Sequence, residues 1–311
     1  MGSLKFLAVA GAVMMGAANI AYAGDLPPPH QPGPAYDAPL RGTVSGGGLY
    51  LRGDIGVGSY TQPNLNVLSN GVPVSVPAPG SFAILEKSLG SAAFGGVGIG
   101  YAINNWFRVD VTGEYRTGAR FGALDQVVFA NPAAVPTGFV NQRNGYNGQV
   151  SSTVFLANAY LDLGTFCQLG CLTPFVGAGI GYANNTFSGV NDTSTQYVFD
   201  PVTNTFGAPF GATQSVFRSK TKGSLAWALM AGVSYDVSKN VKLEVGYRYL
   251  NLGKAETGGL LGQTTDTLRI RDLASHDFRL GMRWMLNGDC CGSPAPEPYY
   301  APAPRPMTRK F

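Results

Sequence analysis

The sequence predicts an all-β protein: an eight-stranded antiparallel transmembrane up-and-down β-barrel with Pro-rich flanks. Eight segments alternate apolar and polar residues over a length that suits a membrane crossing. Short and long connections alternate between those segments, which is typical of membrane barrels. Hydrophobic residues make up 45% of the chain and charged residues only 13%. Even so, no run of about 18 apolar residues follows the N-terminal segment, so the sequence predicts no transmembrane helix.

Residues Met1 to Ala23 are predicted to be a signal peptide. Lys5 precedes an apolar run at residues 6–18, and the segment closes with the small-x-small sequence Ala21-Tyr22-Ala23. The apolar run is too short to cross a bilayer as a helix. We therefore expect the mature chain to begin near Gly24 and to act beyond the inner membrane. An uncleaved N-terminal anchor is the alternative.

The eight alternating segments are the predicted strands of the barrel. A tilted strand needs about 9–11 residues to cross a bilayer, and each segment is long enough. One alternating segment is a moderate signal, whereas eight in succession are a strong one. The predicted strands are Leu49–Ser59, Ala92–Ile103, Trp106–Thr117, Ser151–Gly164, Pro174–Ala183, Ser224–Val237, Val241–Leu250 and Ser275–Leu286.

The connections between these strands predict which end of the barrel faces which side of the membrane. The short connections are Asn104-Asn105, residues 165–173 and residues 238–240. The long connections are residues 60–91, 118–150, 184–223 and 251–274. Outer-membrane barrels have short periplasmic turns and long external loops. An even strand count then predicts that both termini are periplasmic.

The seventh predicted strand shows how the two faces are assigned. Val241, Leu243 and Val245 lie on one face, and Lys242 and Glu244 lie on the other. A charge that faces lipid at the midplane costs about 2–4 kcal/mol, so the apolar faces are predicted to contact lipid. Aromatic residues of these faces are predicted to form two girdles, comprising Tyr101, Phe107, Tyr235 and Trp284 at one end and Tyr115, Phe155, Tyr182, Trp227, Tyr247 and Phe278 at the other.

The opposite faces predict a network of charged side chains in the lumen. An eight-stranded barrel has an interior just wide enough for side chains to fill, so balanced charges there are interpreted as paired structural supports. A narrow ion path is the alternative. The predicted network consists of Arg52, Asp54, Arg108, Asp110, Glu114, Arg116, Asp162, Asp236, Lys242, Glu244, Arg248, Asp277, Arg279 and Arg283.

The second and fifth predicted strands differ from the others because glycine occupies most of their inward positions. Gly96, Gly98 and Gly100 alternate along the second strand, and Gly177 and Gly179 along the fifth. Alternation continues through both runs and no helix pattern follows, so they are not nucleotide-binding loops. Inward glycines make room for long side chains from other strands, permit sharp curvature, or leave a small wet gap. The sequence leaves these three possibilities open.

Two segments resemble a known family. Residues 49–56, Leu-Tyr-Leu-Arg-Gly-Asp-Ile-Gly, look like the first strand of the small outer-membrane barrels related to the OmpA membrane domain, in particular the porin-like surface antigens of alphaproteobacteria. Residues 279–286 are similar to the family's insertion signal, with Gly281, Trp284 and Leu286 at its defining positions. The resemblance implies recognition by the barrel-assembly machinery and contact with outer-membrane lipid and lipopolysaccharide.

The flanking segments and the cysteines are expected on the periplasmic side. Residues 24–48 are predicted to be a Pro-rich linker, residues 49–286 the barrel, and residues 287–311 a Pro-rich tail. Peptidoglycan is a candidate partner of these flanks. Cys167 and Cys171 share one short turn and are the favoured disulfide among the three pairings that four cysteines allow.

The sequence favours a non-enzymatic structural and surface-interaction protein of the outer membrane, with host surface molecules as candidate partners. Long external loops of low charge suit variable surface contacts. Within the third long loop, residues 196–199 and 205–207 flank residues 200–204, which predicts a protruding hairpin or, alternatively, a continuation of the fifth and sixth strands beyond the membrane. A narrow passive pore is the first alternative, and a lipid A hydrolase is less favoured because His276 and its neighbours Ser275 and Asp277 point to opposite faces. We predict no catalytic, cofactor-binding or metal-binding residues. The formal net charge of +4 does not suggest nucleic acid as a partner.

Overall fold

The computed structural model describes residues 47–78, 80–134, 137–165, 172–238, 240–262 and 265–286. Predictions for the signal peptide, for the Pro-rich flanks and for the cysteines at 167, 171, 290 and 291 fall outside these residues. No helix in the described ranges is long and apolar enough to cross a membrane. A single 3₁₀ turn at Leu163–Thr165 is the one helical element among them.

Twelve β-strands make up the described part of the chain. They are β1 (Gly48–Tyr60), β2 (Leu65–Ser69), β3 (Val72–Pro73), β4 (Ser81–Leu89), β5 (Ser91–Ala102), β6 (Phe107–Ala130), β7 (Phe139–Asp162), β8 (Leu172–Asp200), β9 (Thr205–Val216), β10 (Lys220–Asp236), β11 (Val241–Glu256) and β12 (Asp266–Met285). The eight predicted strands correspond to β1, β5, β6, β7, β8, β10, β11 and β12.

Those eight strands form a closed antiparallel ring. The order around the sheet is β1-β5-β6-β7-β8-β10-β11-β12, and β12 pairs with β1 to close it. In the closing pair, Ile55 lies opposite Leu280 and Gly58 lies opposite Asp277. The predicted eight-stranded up-and-down barrel is therefore confirmed. Both described termini, Gly47 and Leu286, lie at the end with the short turns, which we call the short-turn end; the opposite end is the long-loop end.

Local side-chain hydrogen bonds fix the short turns. At the turn between β5 and β6, the Asn104 Oδ1 atom accepts hydrogen bonds from the backbone N–H groups of Trp106 (3.0 Å) and Phe107 (2.7 Å). At the turn between β10 and β11, the Ser238 hydroxyl accepts from the backbone N–H of Val241 at 3.2 Å. Asn and Ser favour turns because their side chains can replace a backbone acceptor in this way.

Most of the residues predicted to be long loops are β-strand instead. β6 continues to Ala130 and β7 begins at Phe139, so the predicted loop of residues 118–150 is largely a paired extension of both strands. In the third loop, β8 continues to Asp200 and then pairs with β9 as a hairpin. Alternation persists in these extensions, but their outward positions, such as Arg120 and Gln149, are polar. A search for apolar outward faces therefore misses them.

The change in outward residues divides the barrel into two tiers. The lower tier is the part of the eight ring strands nearer the short-turn end. Its outward side chains are large, apolar and exposed, for example Val97, Ile180, Leu229 and Leu280. The upper tier consists of β2, β3, β4, β9, Phe217 and Leu260, together with residues 119–130, 139–150, 184–200, 251–256 and 266–274 of the ring strands. Predicted girdle residues border the apolar band as exposed side chains at both ends, except that Phe107 is half-buried.

The interior of the upper tier is an apolar core. Phe121, Phe187, Leu252, Leu268 and Ile270 are buried there. The Phe121 and Phe187 rings meet edge to face with their centroids 4.9 Å apart. Because these segments are predicted to be polar loops, the sequence does not predict this core. The apolar side chains of this core fill the barrel interior directly above the charged lower tier.

Candidate functional site in the barrel interior

The predicted lumen residues all point into the barrel. Most are buried, and Arg108 and Arg116 have an exposed fraction of 0%. Asp162, Asp236 and Lys242 are partly exposed because they lie at the short-turn end. Side-chain alternation alone was sufficient to assign these faces, since adjacent residues of a strand point to opposite sides of the sheet.

Glu244 is the centre of the larger charge network. Its Oε1 atom lies 3.0 Å from Arg283 Nη2, and its Oε2 atom lies 3.3 Å from Arg52 Nη2. Arg108 Nη2 lies 3.2 Å from Glu244 Oε1, as an ion pair without hydrogen-bond geometry. Ser234 donates a hydrogen bond of 3.2 Å to the same Oε1 atom. One carboxylate thus links guanidinium groups from β1, β6 and β12.

Arg52 extends this network across the barrel. It donates to Asp54 Oδ2 at 2.8 Å, to Asp110 Oδ2 at 2.7 Å and to the Tyr160 hydroxyl at 2.9 Å. Arg279 Nη2 reaches Asp54 Oδ1 at 3.1 Å. The larger network therefore joins side chains from strands on opposite sides of the ring.

A second network lies nearer the long-loop end. Arg116 Nη2 donates to Asp277 Oδ1 at 2.8 Å, and Arg248 Nη2 donates to Asp277 Oδ2 at 2.7 Å. Both guanidinium groups also contact Glu114, at 3.0 Å and 2.8 Å. Ser275 donates to Asp277 Oδ1 at 2.9 Å. Two arginines and two carboxylates thus satisfy one another, which is the condition under which buried charges are tolerated.

The inward glycines make room for side chains from neighbouring strands. A Cβ atom at Gly100 would collide with the Tyr50 ring, and one at Gly177 would collide with the Tyr160 ring. One at Gly98 would lie 3.1 Å from Arg52 Cγ. The side chains that occupy the space beside these glycines are thus aromatic as well as basic. Arg108 stacks on Tyr160, with Cζ 4.0 Å from the ring centroid. Of the three possibilities left open by the sequence, the structure supports accommodation of long side chains.

The residues considered for hydrolysis do not converge. Ser275 and Asp277 are buried inside the barrel, whereas His276 is exposed on its outer surface, where its Nδ1 atom contacts the Tyr247 hydroxyl. The wall of the barrel separates the imidazole from both neighbours. No Ser-His-Asp arrangement is therefore formed by these three residues.

The insertion-signal residues lie at the end of β12. Gly281 faces inward, and a Cβ there would collide with the Asp54 carboxylate. Trp284 and Leu286 are exposed on the outer face, with Trp284 opposite Val241 of β11 and Leu51 of β1. The aromatic and apolar positions of the motif are thus accessible from outside the barrel, while recognition by an assembly machinery stays a prediction.

The upper tier also contains polar residues that the sequence analysis missed. Asp125 is buried on β6, where it accepts hydrogen bonds from the Asn144 amide (2.7 Å) and the Tyr146 hydroxyl (2.8 Å) of β7. Both strands lie in a segment that was assigned to a loop. The alternation of Phe121, Ala123 and Asp125 could have identified the inward face, but only after the segment was recognised as strand.

Comparison with known proteins matches residues 8–284 to the family described as outer membrane protein beta-barrel domain. An uncharacterized protein of Brucella suis is 33% identical over 219 residues, which cover 68% of this chain and 70% of that protein. Outer membrane protein PagN of Salmonella typhimurium is 29% identical, with 61% of this chain and 71% of that protein covered. A candidate adhesin of Rickettsia bellii is also 29% identical, with 64% and 78% covered.

Proposed function

This chain belongs to the outer membrane protein beta-barrel domain family, and we propose that it is a closed, non-enzymatic barrel whose upper tier contacts partners outside the cell. The family places the protein in the outer membrane. The main support for this role is that the upper tier extends far beyond the apolar band and presents a large surface to possible partners. Host surface molecules are the proposed class of partner, in keeping with a relative that is named a candidate adhesin.

We propose that the short-turn end, and with it both termini, faces the periplasm. Outer-membrane barrels typically have short periplasmic turns and long external loops. The upper tier is then outside the cell, where its polar outer face contacts water and lipopolysaccharide. The Pro-rich flanks act as periplasmic spacers in this orientation, with peptidoglycan as their candidate partner. Cys167 and Cys171 would occupy an oxidising compartment that permits their disulfide.

The protruding hairpin of β8 and β9 is the proposed contact region. The hairpin lies beside the extended β6 and β7, since Val198 of β8 pairs with Val140 of β7. Residues 119–130 of β6 correspond to roughly 40 Å of strand at about 3.4 Å per residue, so the hairpin tip lies far above the apolar band. At its tip Val202 is 91% exposed. Asp200 accepts a hydrogen bond of 2.9 Å from the Val202 backbone N–H. Next to the tip, where Phe206 pairs with Phe199, Arg143 of β7 stacks on Phe206, with Cζ 4.6 Å from the ring centroid. A preformed protrusion loses little conformational entropy on binding.

Surface display in a non-adherent bacterium tests this role. Cells that display the full chain are expected to bind cultured animal cells several-fold better than cells with an empty vector. Replacing residues 201–204 by Asn-Gly should remove most of the gain, because it deletes the exposed tip but keeps a two-residue hairpin turn. Val72→Asp, at an exposed upper-tier position away from the hairpin, is the control. Equal binding by empty-vector cells would refute the proposal.

The interior of the barrel argues against the pore alternative. The two charge networks occupy the lower tier, and the apolar core with Phe121 and Phe187 lies above them. An ion entering this path would have to displace buried ion pairs and then pass an apolar barrier, both of which are unfavourable.

Planar bilayer recordings test closure. The purified protein is expected to give no reproducible current steps, while a general porin in the same bilayer serves as the positive control. A Phe121→Ala/Phe187→Ala double variant removes the paired rings of the core and should conduct more than the wild type if the core is the barrier. Large, regular steps from the wild-type protein would favour the pore instead.

A further inference from the structure

The upper tier forms a partly open cavity that neither the family nor the proposed adhesive role explains. Its volume is about 530 Å³, within the range of small-molecule sites. Strands from different parts of the chain line it: Asp125 is on β6, Tyr146 on β7, Asp192 on β8 and Asp266 on β12, with Phe82 and Phe217 among the aromatic wall residues. The cavity is thus formed by tertiary structure rather than by one loop.

Three aspartates, Asp125, Asp192 and Asp266, are the charged groups among the described residues that line this cavity. Asp125 is only 1% exposed and is held by the Asn144 amide and the Tyr146 hydroxyl, which are neutral donors. The Oδ1 atom of Asp192 is buried and has no hydrogen-bond partner. Burial, together with the carboxylates of Asp125, Asp192 and Asp266, raises the pKa of Tyr146 well above its ordinary value. Its hydroxyl therefore remains a neutral donor.

The charge balance here is opposite to that of the lower tier. Inside the lower tier each carboxylate is matched by at least one Arg or Lys. Among the described residues that line the cavity there is no Lys or Arg. A buried carboxylate without a cation is costly, and the Asp192 oxygen that lacks a donor adds to that cost. A bound cation with N–H groups would neutralise the carboxylate charge and donate a hydrogen bond to the Asp192 oxygen.

The cavity wall further restricts the ligand. The rings of Tyr146 and Phe217 lie 6.2 Å apart, and Phe82 adds a third aromatic surface. Aromatic faces attract organic cations and also bury apolar groups. The carboxylates do not form a metal-ligating group in the part of the chain that the structure describes. A cation with hydrogen-bond donors and an apolar body fits this combination better than a bare metal ion.

We propose that the cavity binds a small organic cation, an ammonium or guanidinium group on a short apolar chain. Asp125 and Asp192 neutralise the charge, Asp192 Oδ1 accepts the ligand's N–H, and the aromatic wall contacts the apolar chain. A free amine and a basic side chain of a peptide share this chemistry. This proposal does not depend on adhesion to cells.

Binding should depend on pH because Asp192 titrates near neutrality. Burial, with a further contribution from Asp125, raises the pKa of Asp192 to about 6. Burial also raises the pKa of Asp125. The other titratable groups among the described residues that line the cavity are Asp125, Tyr146 and Asp266, and none of them is basic. Asp192 is ionised above about pH 6, so affinity for a cation is retained there and falls as the pH drops through that value.

Isothermal titration calorimetry of the full folded chain in detergent tests the proposal with 1,5-diaminopentane and n-butylguanidinium as probes. Acetyl-lysine methyl ester and acetyl-arginine methyl ester distinguish basic side chains from the free amines. 1-Pentanol is the neutral control. Either cation should bind, 1-pentanol should not, and affinity should fall about tenfold between about pH 8 and about pH 5.

Asp192→Asn is the diagnostic variant and Asp272→Asn the matched control, because Asp272 is an exposed upper-tier carboxylate outside the cavity. The first should weaken cation binding at least about tenfold and reduce its pH dependence to the part that Asp125 contributes; the second should change neither. Heat-modifiable mobility on gels confirms that each variant is folded. The proposal is overturned if no cation binds, if 1-pentanol binds as well, or if the Asp192→Asn protein binds like the wild type. If that variant fails to fold, the pH dependence of cation binding by the wild-type protein still tests the proposal.

Discussion

Replacing Glu244 with Gln is expected to destabilise the barrel by about 3–5 kcal/mol, the range for breaking a buried ion pair. Glu244 is 3% exposed and lies within 3.3 Å of three guanidinium groups, those of Arg52, Arg108 and Arg283. The amide keeps the shape of the side chain but removes the charge, which leaves these arginines with excess positive charge in a dry interior. Urea unfolding of the barrel in vesicles, followed by tryptophan fluorescence, measures the difference.

Asp236→Asn is the matched control for Glu244→Gln. Asp236 also pairs with a lumenal base, Lys242 at 2.6 Å, but both side chains are partly exposed at the short-turn end. Exposed pairs contribute only about 0–1 kcal/mol, and this partly exposed pair is expected to contribute less than the buried contacts of Glu244, so the control should lose clearly less stability than Glu244→Gln. If the two variants were equally stable, the lumenal charges would not act as a supporting network.

Leu280→Arg is expected to destabilise the barrel by about 2–4 kcal/mol and to lower the yield of folded protein in vesicles. Leu280 is 46% exposed and is flanked across the sheet by Ile55 and Val245, in the middle of the apolar band. An arginine there places its charge near the bilayer midplane. The folded fraction is measured from heat-modifiable mobility after refolding into vesicles.

The control for Leu280→Arg is the same substitution outside the band. Val202→Arg adds an identical charge at the exposed hairpin tip, where the side chain already contacts water. Its folding yield and unfolding midpoint should match the wild type. A Leu280→Arg protein that refolds as efficiently as Val202→Arg would mean that this face does not contact lipid.

The lower tier could be predicted from sequence because lipid imposes a simple rule on each strand. Val245 and Leu280 must face outward and Glu244 and Arg279 inward, whatever the neighbouring strands are, since charge on the lipid side is unfavourable. The ends of the eight strands that face the short turns were placed within two residues for the same reason. Asn104 and Ser238 further mark the short turns through local hydrogen bonds.

The upper tier could not be predicted by the same rule. Its outward residues, such as Arg120 and Gln149, are polar, so the apolar pattern stops although the hydrogen-bonded strands continue. Long low-charge segments between membrane strands are ordinarily loops. The core at Phe121 and Phe187 and the cavity at Asp125 both depend on strands that are recognised only in three dimensions.

The sequence by itself determined the fold class, the positions of the eight ring strands and the face on which each charged residue lies. These properties follow from the two-residue period of a strand and from the low polarity of lipid. Only the tertiary structure decided the partners of those charges. Arg116 and Asp277 are 161 residues apart and meet because of the register around the closed ring. Shifting one strand by two residues would preserve every face but change the partners of every charged residue on that strand, so alternation cannot specify the network.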